Sequence, residues 1–156
     1  MKYFLLLLLA APTVDRVGFP EGYREKLRVL RTSEKPDKQE VKVIYGNQAA
    51  ASAKDGVYPY GSLLVMESRK EGVVTGLHVM RKERGFGEAY GPNRTGEWEY
   101  TEYKPDGSYI TPPLKSEACA ICHLKAGAAK DYVYGGIVGQ ASGLSRTGRS
   151  PVPQSR

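Results

Sequence analysis

Cysteine and histidine are scarce in this 156-residue chain, which has two of each. So few cysteines cannot staple a disulfide-framework scaffold, and so few histidines cannot fill a His-rich metal site. One tryptophan and three phenylalanines stand against 11 tyrosines. Interior and interface walls are therefore partly polar, each hydroxyl needing a partner. Long apolar runs are also missing: the stretch over residues 4–11 is too short to cross a bilayer as a helix. Charge is not segregated. Lys and Arg outnumber Asp and Glu 23 to 17, net +6, but they are scattered and no helix face collects them. Nucleic-acid binding is excluded on that ground, while a basic surface could steer an acidic redox partner. No repeat of solenoid length is present. What remains is one domain around one core.

Residues 1–16 read as a signal peptide or N-terminal anchor. Lys2 supplies the positive start and residues 4–11 the apolar centre, although Leu9 occupies a place where a cleavage site wants a small residue. Either way the folded part is expected outside the cytoplasm, periplasmic or otherwise exported. Residues 141–156, rich in Gly, Ser, Arg and Pro, read as a disordered tail. The domain is then residues 17–140.

Within it, residues 19–26 predict a short helix entered through Pro20, with Glu21 in its first turn. Residues 27–31 alternate as a strand, 33–38 read as a turn, and Val41, Val43 and Tyr45 alternate as a second strand. Residues 48–54 are Ala-rich and predict one short helix. Residues 62–69 form a third strand, with Leu64, Met66 and Ser68 on one face and Leu63, Val65 and Glu67 on the other. Glu71-Gly72 turns the chain into a fourth strand over 73–82. Residues 84–95 read as a loop and 97–104 as a fifth strand, ended by Pro105-Asp106-Gly107. Residues 114–126 predict a helix. The fold class is α+β: mainly an antiparallel sheet of about five strands with short helices at both ends.

Both cysteines fall in that last helix, as Cys119-Ala120-Ile121-Cys122-His123. This is the C-x-x-C-H pattern of covalent haem attachment. Two thiols three positions apart can add to the two vinyl groups of one haem, and the following histidine reaches the iron from the same side. A C-x-x-C redox pair, half of a zinc site and a structural disulfide are the competing readings. A redox pair does not need the histidine, and a zinc site needs a fourth ligand when His78 is the only other histidine. One covalently attached haem c is the expected cofactor, with His123 as the proximal iron ligand.

From Phe19 to about Tyr134 the chain resembles the cytochrome P-460 and cytochrome c-prime-beta family. The likeness rests on four stretches: Phe19-Pro20-Glu21-Gly22-Tyr23-Arg24; Val43-Ile44-Tyr45-Gly46-Asn47; Tyr60-Gly61-Ser62-Leu63-Leu64-Val65-Met66-Glu67; and the haem motif followed by Lys130-Asp131-Tyr132-Val133-Tyr134. The resemblance implies a five-coordinate haem c on a sheet scaffold, usually in a homodimer, with distal side chains drawn from the sheet. In the hydroxylamine-oxidising branch a lysine of the central strand bonds to the haem ring. Gly61-Ser62 and Glu67 fit that frame, but Met66 stands where the lysine would be, and a thioether cannot make the nitrogen-to-carbon link. The departure disfavours hydroxylamine oxidation and favours the c-prime-beta branch, which binds gases such as nitric oxide.

The expected distal side chains are Met66, with Leu64 and Ser68 on its face. Asp131 is the candidate acceptor for the second ring nitrogen of His123. His78, Met66 and Met80 are the side chains that could take the sixth iron position in an electron carrier. Leu77 and Val79 read as the core-facing set of the fourth strand. His78 is then expected to point away from the haem, leaving a mainly apolar pocket. Trp98, Tyr100 and Tyr103 read as packing. The expected function is binding of a small gaseous ligand, nitric oxide or carbon monoxide, at an open iron site. Electron transfer and redox catalysis on hydroxylamine, nitric oxide or peroxide are the alternatives.

Overall fold

A computed structural model describes residues 14–135. The apolar run of the expected leader and the expected tail lie outside the described residues. Among the described residues no helix is long and apolar enough to cross a membrane.

One antiparallel sheet carries the fold, its six strands in the order β1-β2-β3-β4-β5-β6. The strands are β1 (Arg28–Lys35), β2 (Glu40–Gly46), β3 (Leu63–Lys70), β4 (Val73–Lys82), β5 (Trp98–Tyr103) and β6 (Tyr109–Thr111). A meander of this kind needs only short connections, and Glu71-Gly72 supplies one, both residues having positive φ. Three short helices accompany the sheet: α1 (Tyr23–Lys26), α2 (Gln48–Ala51) and α3 (Glu117–Leu124).

The differences from the sequence expectation have local causes. β1 continues through Ser33, Glu34 and Lys35, which pair with Lys42, Val41 and Glu40, so the turn is only Pro36–Lys38. An edge strand needs no apolar alternation, and this one is exposed almost throughout. β6 is a three-residue strand, too short to announce itself by periodicity. The Ala-rich helix stops at Ala51; Asn47 caps it by accepting from the Ala50 amide at 2.9 Å. The expected loop after β4 contains 3-10 turns over Phe86–Asn93, broken at Gly91. α3 starts at Glu117 rather than 114, because Pro112 and Pro113 and the left-handed Leu114, φ 59°, hold the chain out of helix.

Each sheet face has its own core. Behind the sheet, Val43, Tyr45, Leu63, Val65, Leu77, Val79 and Tyr103 pack with Val17, Phe19 and Tyr23. In front, Leu64, Met80, Trp98 and Tyr100 pack with Ala50, Tyr58, Tyr90, Ala120 and Val133. A fully buried aliphatic residue such as Val65 contributes roughly 1.5–3 kcal/mol by leaving water. The back face also holds two fully buried carboxylates. Glu67 accepts from Tyr23, Arg24 and Arg69, and Glu99 pairs with Arg16. Asp15, which accepts from Tyr103 at 2.5 Å and Tyr109 at 3.0 Å, and Arg16 thus contact the folded body, although the sequence reading put them with the leader.

Candidate haem site

Position along each strand decides what the front face does. At one end α3 covers it. Ser116, the residue before the helix, donates to the Tyr100 carbonyl at 2.7 Å and shares a 2.8 Å hydrogen bond with the Tyr90 hydroxyl, fastening the helix to β5. Cys119 and Ala120 then pack on the Leu64, Met80 and Tyr100 cluster. One turn further on, His123 lies with its ring centroid 4.8 Å from that of Tyr100 and 5.5 Å from that of Tyr134. Cys119 is half-buried and Cys122 exposed, both as free thiols. Burial pushes the Cys119 thiol up, and the charge of Glu102 adds to it.

The His123 ring is fixed by the chain that follows it. Asp131 and Tyr132 both have positive φ, 48° and 60°. This unusual reversal places the Tyr132 carbonyl 2.7 Å from His123 Nδ1. A carbonyl only accepts, so Nδ1 carries the proton and Nε2 keeps its lone pair, the form a metal takes. Burial holds the imidazole below its ordinary pKa, against the pull of that carbonyl and with a smaller push from His78.

The carboxylate of Asp131 is not the acceptor for His123. It takes the Tyr58 amide at 2.9 Å and the Lys82 ammonium at 2.5 Å, while the Asp131 carbonyl accepts from Trp98 Nε1 at 2.9 Å. Asp131 therefore acts one step back. It pins the reversal from which Tyr132 reaches the ring, and a backbone acceptor of that kind leaves no mark on a sequence.

Beyond α3 the front face is open. The strand register lines up Ile44, Met66, His78, Glu102 and Thr111 in one row across β2 to β6. All five are half-buried, although their row crosses the middle of the sheet. The neighbouring row, Leu64, Met80 and Tyr100, is buried. An antiparallel sheet can leave one face to water, but this row carries the apolar Ile44 and Met66 next to the two thiols and the imidazole, which makes it a candidate seat for a flat group. A cavity of about 410 Å³ adjoins it, lined in part by Lys42, Ser68, Thr75 and His78. The residues present fit a haem: two free thiols, an imidazole with Nε2 available, and an uncovered sheet face beside them.

Met66 stands in this row, between Ile44 and His78. Leu64 is buried beneath α3, and Ser68 lies at the cavity end. His78 departs from expectation. It is the cross-strand partner of Met66 and shares its face, because the apolar Leu77 and Val79 belong to the back core instead. A sheet with two cores defeats the rule that the apolar side is the cofactor side. Nor is the pocket mainly apolar: His78 Nε2 lies 3.3 Å from Glu102 Oε1, and Thr111 donates to the other Glu102 oxygen at 3.0 Å. Glu102 was missed from sequence; its place two residues after Tyr100 on β5 is the only signal it gives. Among the described residues no three His, Cys, Asp or Glu side chains are grouped so as to hold a metal ion.

No curated protein matches the chain. A family profile described as Cytochrome P460 matches residues 20–135, the span that holds the sheet, the open row and the C-x-x-C-H helix. The profile therefore covers both the scaffold and the site built on it, and the chain belongs to the cytochrome P460 family, a family of haem proteins.

Proposed function

We propose that this protein carries one haem c, joined through Cys119 and Cys122 and held by His123 Nε2, and binds small gases, nitric oxide or carbon monoxide, at an iron position that no side chain fills. The observation that carries the reading is the half-buried row Ile44-Met66-His78-Glu102, set beside an imidazole whose Nε2 is free. When bound, the haem iron supplies the gas-binding centre. The Tyr132 carbonyl keeps the His123 proton on Nδ1 and so the lone pair on Nε2. Tyr100 and Tyr134 flank the ring and limit its rotation. Met66 and Ile44 give the open face an apolar wall, and His78 and Glu102 give it a polar end. Met66 offers no nitrogen for a ring crosslink, so hydroxylamine oxidation is not expected. Export, a homodimer, and a surface of net charge +6 that steers an acidic redox partner belong to the same reading.

A second reading is an electron carrier with His78 as sixth ligand, favoured by the place of His78 on the Met66 face. Against it, Glu102 Oε1 lies 3.3 Å from the Nε2 of His78 and competes with iron for that nitrogen. The absorption spectrum of the ferrous protein, with and without nitric oxide, separates the two. The expected result is a high-spin ferrous form that shifts on adding the gas and is high-spin still in His78→Ala. A low-spin ferrous form that the substitution abolishes would replace gas binding with electron transfer.

A further inference from the structure

Past the open row, on the side away from α3, the front face ends in charge. The next row along the strands is Lys42, Ser68 and Gly76, on β2, β3 and β4. Lys42 and Ser68 line the cavity of about 410 Å³, together with Glu40, Arg69 and Lys70. The charges there divide unevenly. Arg69 pairs with Glu67 of the back core, and Glu40 stands between Lys35 and Lys70 in the strand register. Lys42 is half-buried, and among the described residues its ammonium makes no hydrogen bond or ion pair. Burial lowers the pKa of His78, and the charge of Lys42 lowers it further, which puts the ammonium on the side of the open row. The Ser68 hydroxyl is likewise without a partner among the described residues, while its carbonyl is held by the Thr75 hydroxyl at 3.1 Å. A half-buried ammonium with no carboxylate beside it is costly.

We propose that Lys42, with the Ser68 hydroxyl, forms the carboxylate-binding end of the haem site and receives a haem propionate. The inference rests on the haem reading above and deepens it, because it fixes which way round the ring lies on the sheet. Thioethers to Cys119 and Cys122 hold the vinyl side of the ring at α3, and the two propionates leave from the other side of the macrocycle. The row of Leu64 lies beneath α3, and Ser68 is four residues further along β3, about 13 Å at the rise of a strand. A ring seated on the row between them carries its propionates toward Lys42 and away from the apolar core. A carboxylate there gives the ammonium a charge-assisted hydrogen bond and offsets the cost of its burial. Two thiols at one end of the seat and an unpaired cation at the other match the two sides of the ring. A lysine that served only to solubilise the surface would be exposed, as Lys35 and Lys38 are.

The test takes two readings from the intact haem-loaded protein: the propionate bending band in its resonance Raman spectrum and its reduction potential. Lys42→Met keeps the length of the side chain and removes its charge. It is expected to shift the propionate band and, by leaving an uncompensated anion beside the ring, to favour ferric iron. The ferrous-to-ferric ratio at a fixed potential should fall about tenfold, or about 59 mV for a one-electron couple, a size that one unit charge near the ring can supply. Lys42→Arg can still pair with a carboxylate and should restore both readings. Ser68→Ala should shift the band and leave the potential nearly unchanged. Lys26→Met, on the exposed α1 behind the sheet, makes the same change in net charge and should move neither. If Lys42→Met takes up no haem, the Ser68→Ala band decides. A band and a potential unmoved by Lys42→Met, or moved equally by Lys26→Met, overturn the propionate site and leave the haem standing. A wild-type chain that holds no haem overturns the haem reading, and this site with it.

Discussion

Asp131→Ala is the perturbation that best separates the scaffold of the site from its chemistry. The Asp131 carboxylate and the Lys82 ammonium meet at 2.5 Å, with about 11% of each side chain exposed. Removing one partner of a buried pair costs about 3–5 kcal/mol, because the other charge is left uncompensated. The substitution also removes the acceptor of the Tyr58 amide and puts alanine at φ 48°, where its Cβ is unfavourable. A loss of about 4 kcal/mol is expected against a total stability of roughly 5–15 kcal/mol, or roughly 15 °C in Tm. Asp131→Asn tolerates the left-handed backbone and keeps an acceptor, so it should lose less. Pairing it with Lys82→Met should recover at least about 1 kcal/mol relative to the sum of the single changes. Thermal and urea unfolding of the haem protein give these numbers. The iron–histidine stretch in the ferrous state reports whether Tyr132 still holds Nδ1; it should weaken or broaden in Asp131→Ala. A loss below about 1 kcal/mol, or strict additivity in the double variant, would refute the argument that this pair pins the reversal at Asp131-Tyr132.

Replacing both Cys119 and Cys122 by Ser should yield a chain whose haem extracts into acid acetone, whereas the wild-type colour should stay with the protein; free extraction from wild type would end the covalent reading. Burial alone would raise the Glu67 carboxyl, but hydrogen bonds from Tyr23, Arg24 and Arg69 outweigh it and hold the pKa below the usual carboxylate range. Its stabilising contribution is therefore full above about pH 4.5 and is lost as the pH falls further; the stability gap between wild type and Glu67→Gln should narrow in acid titration. Burial and the Glu67 carboxylate push Tyr23 up to about 12, so the chain should lose stability as pH rises from about 10 toward that value, and Tyr23→Phe should flatten the loss. At Gly87 an added Cβ would sit 1.9 Å from the Gly96 carbonyl oxygen, so Gly87→Ala should cost about 3 kcal/mol by thermal unfolding.

The spacing of Cys119, Cys122 and His123 determined by itself what chemistry to expect, because a thiol–thiol–imidazole arrangement within five residues is local and needs no partner elsewhere. Alternation likewise determined β2 to β5 and placed Met66 on a face with Leu64 and Ser68, since the two-residue period belongs to the strand alone. What surrounds the iron was decided by tertiary structure. His78 reads from sequence as the wrong side of β4, because Leu77 and Val79 are the more apolar set. Only the second core, closed by Val17 and Phe19 from the start of the domain, shows that the apolar side faces away from the C-x-x-C-H helix. Glu102 and Thr111 become partners of His78 through strand register, a relation between residues tens of positions apart that no local pattern encodes. The acceptor for His123 was equally hidden. It is a main-chain carbonyl, present at every residue, and it is distinguished here only because Asp131, Lys82 and Trp98 fold the backbone so that Tyr132 points inward.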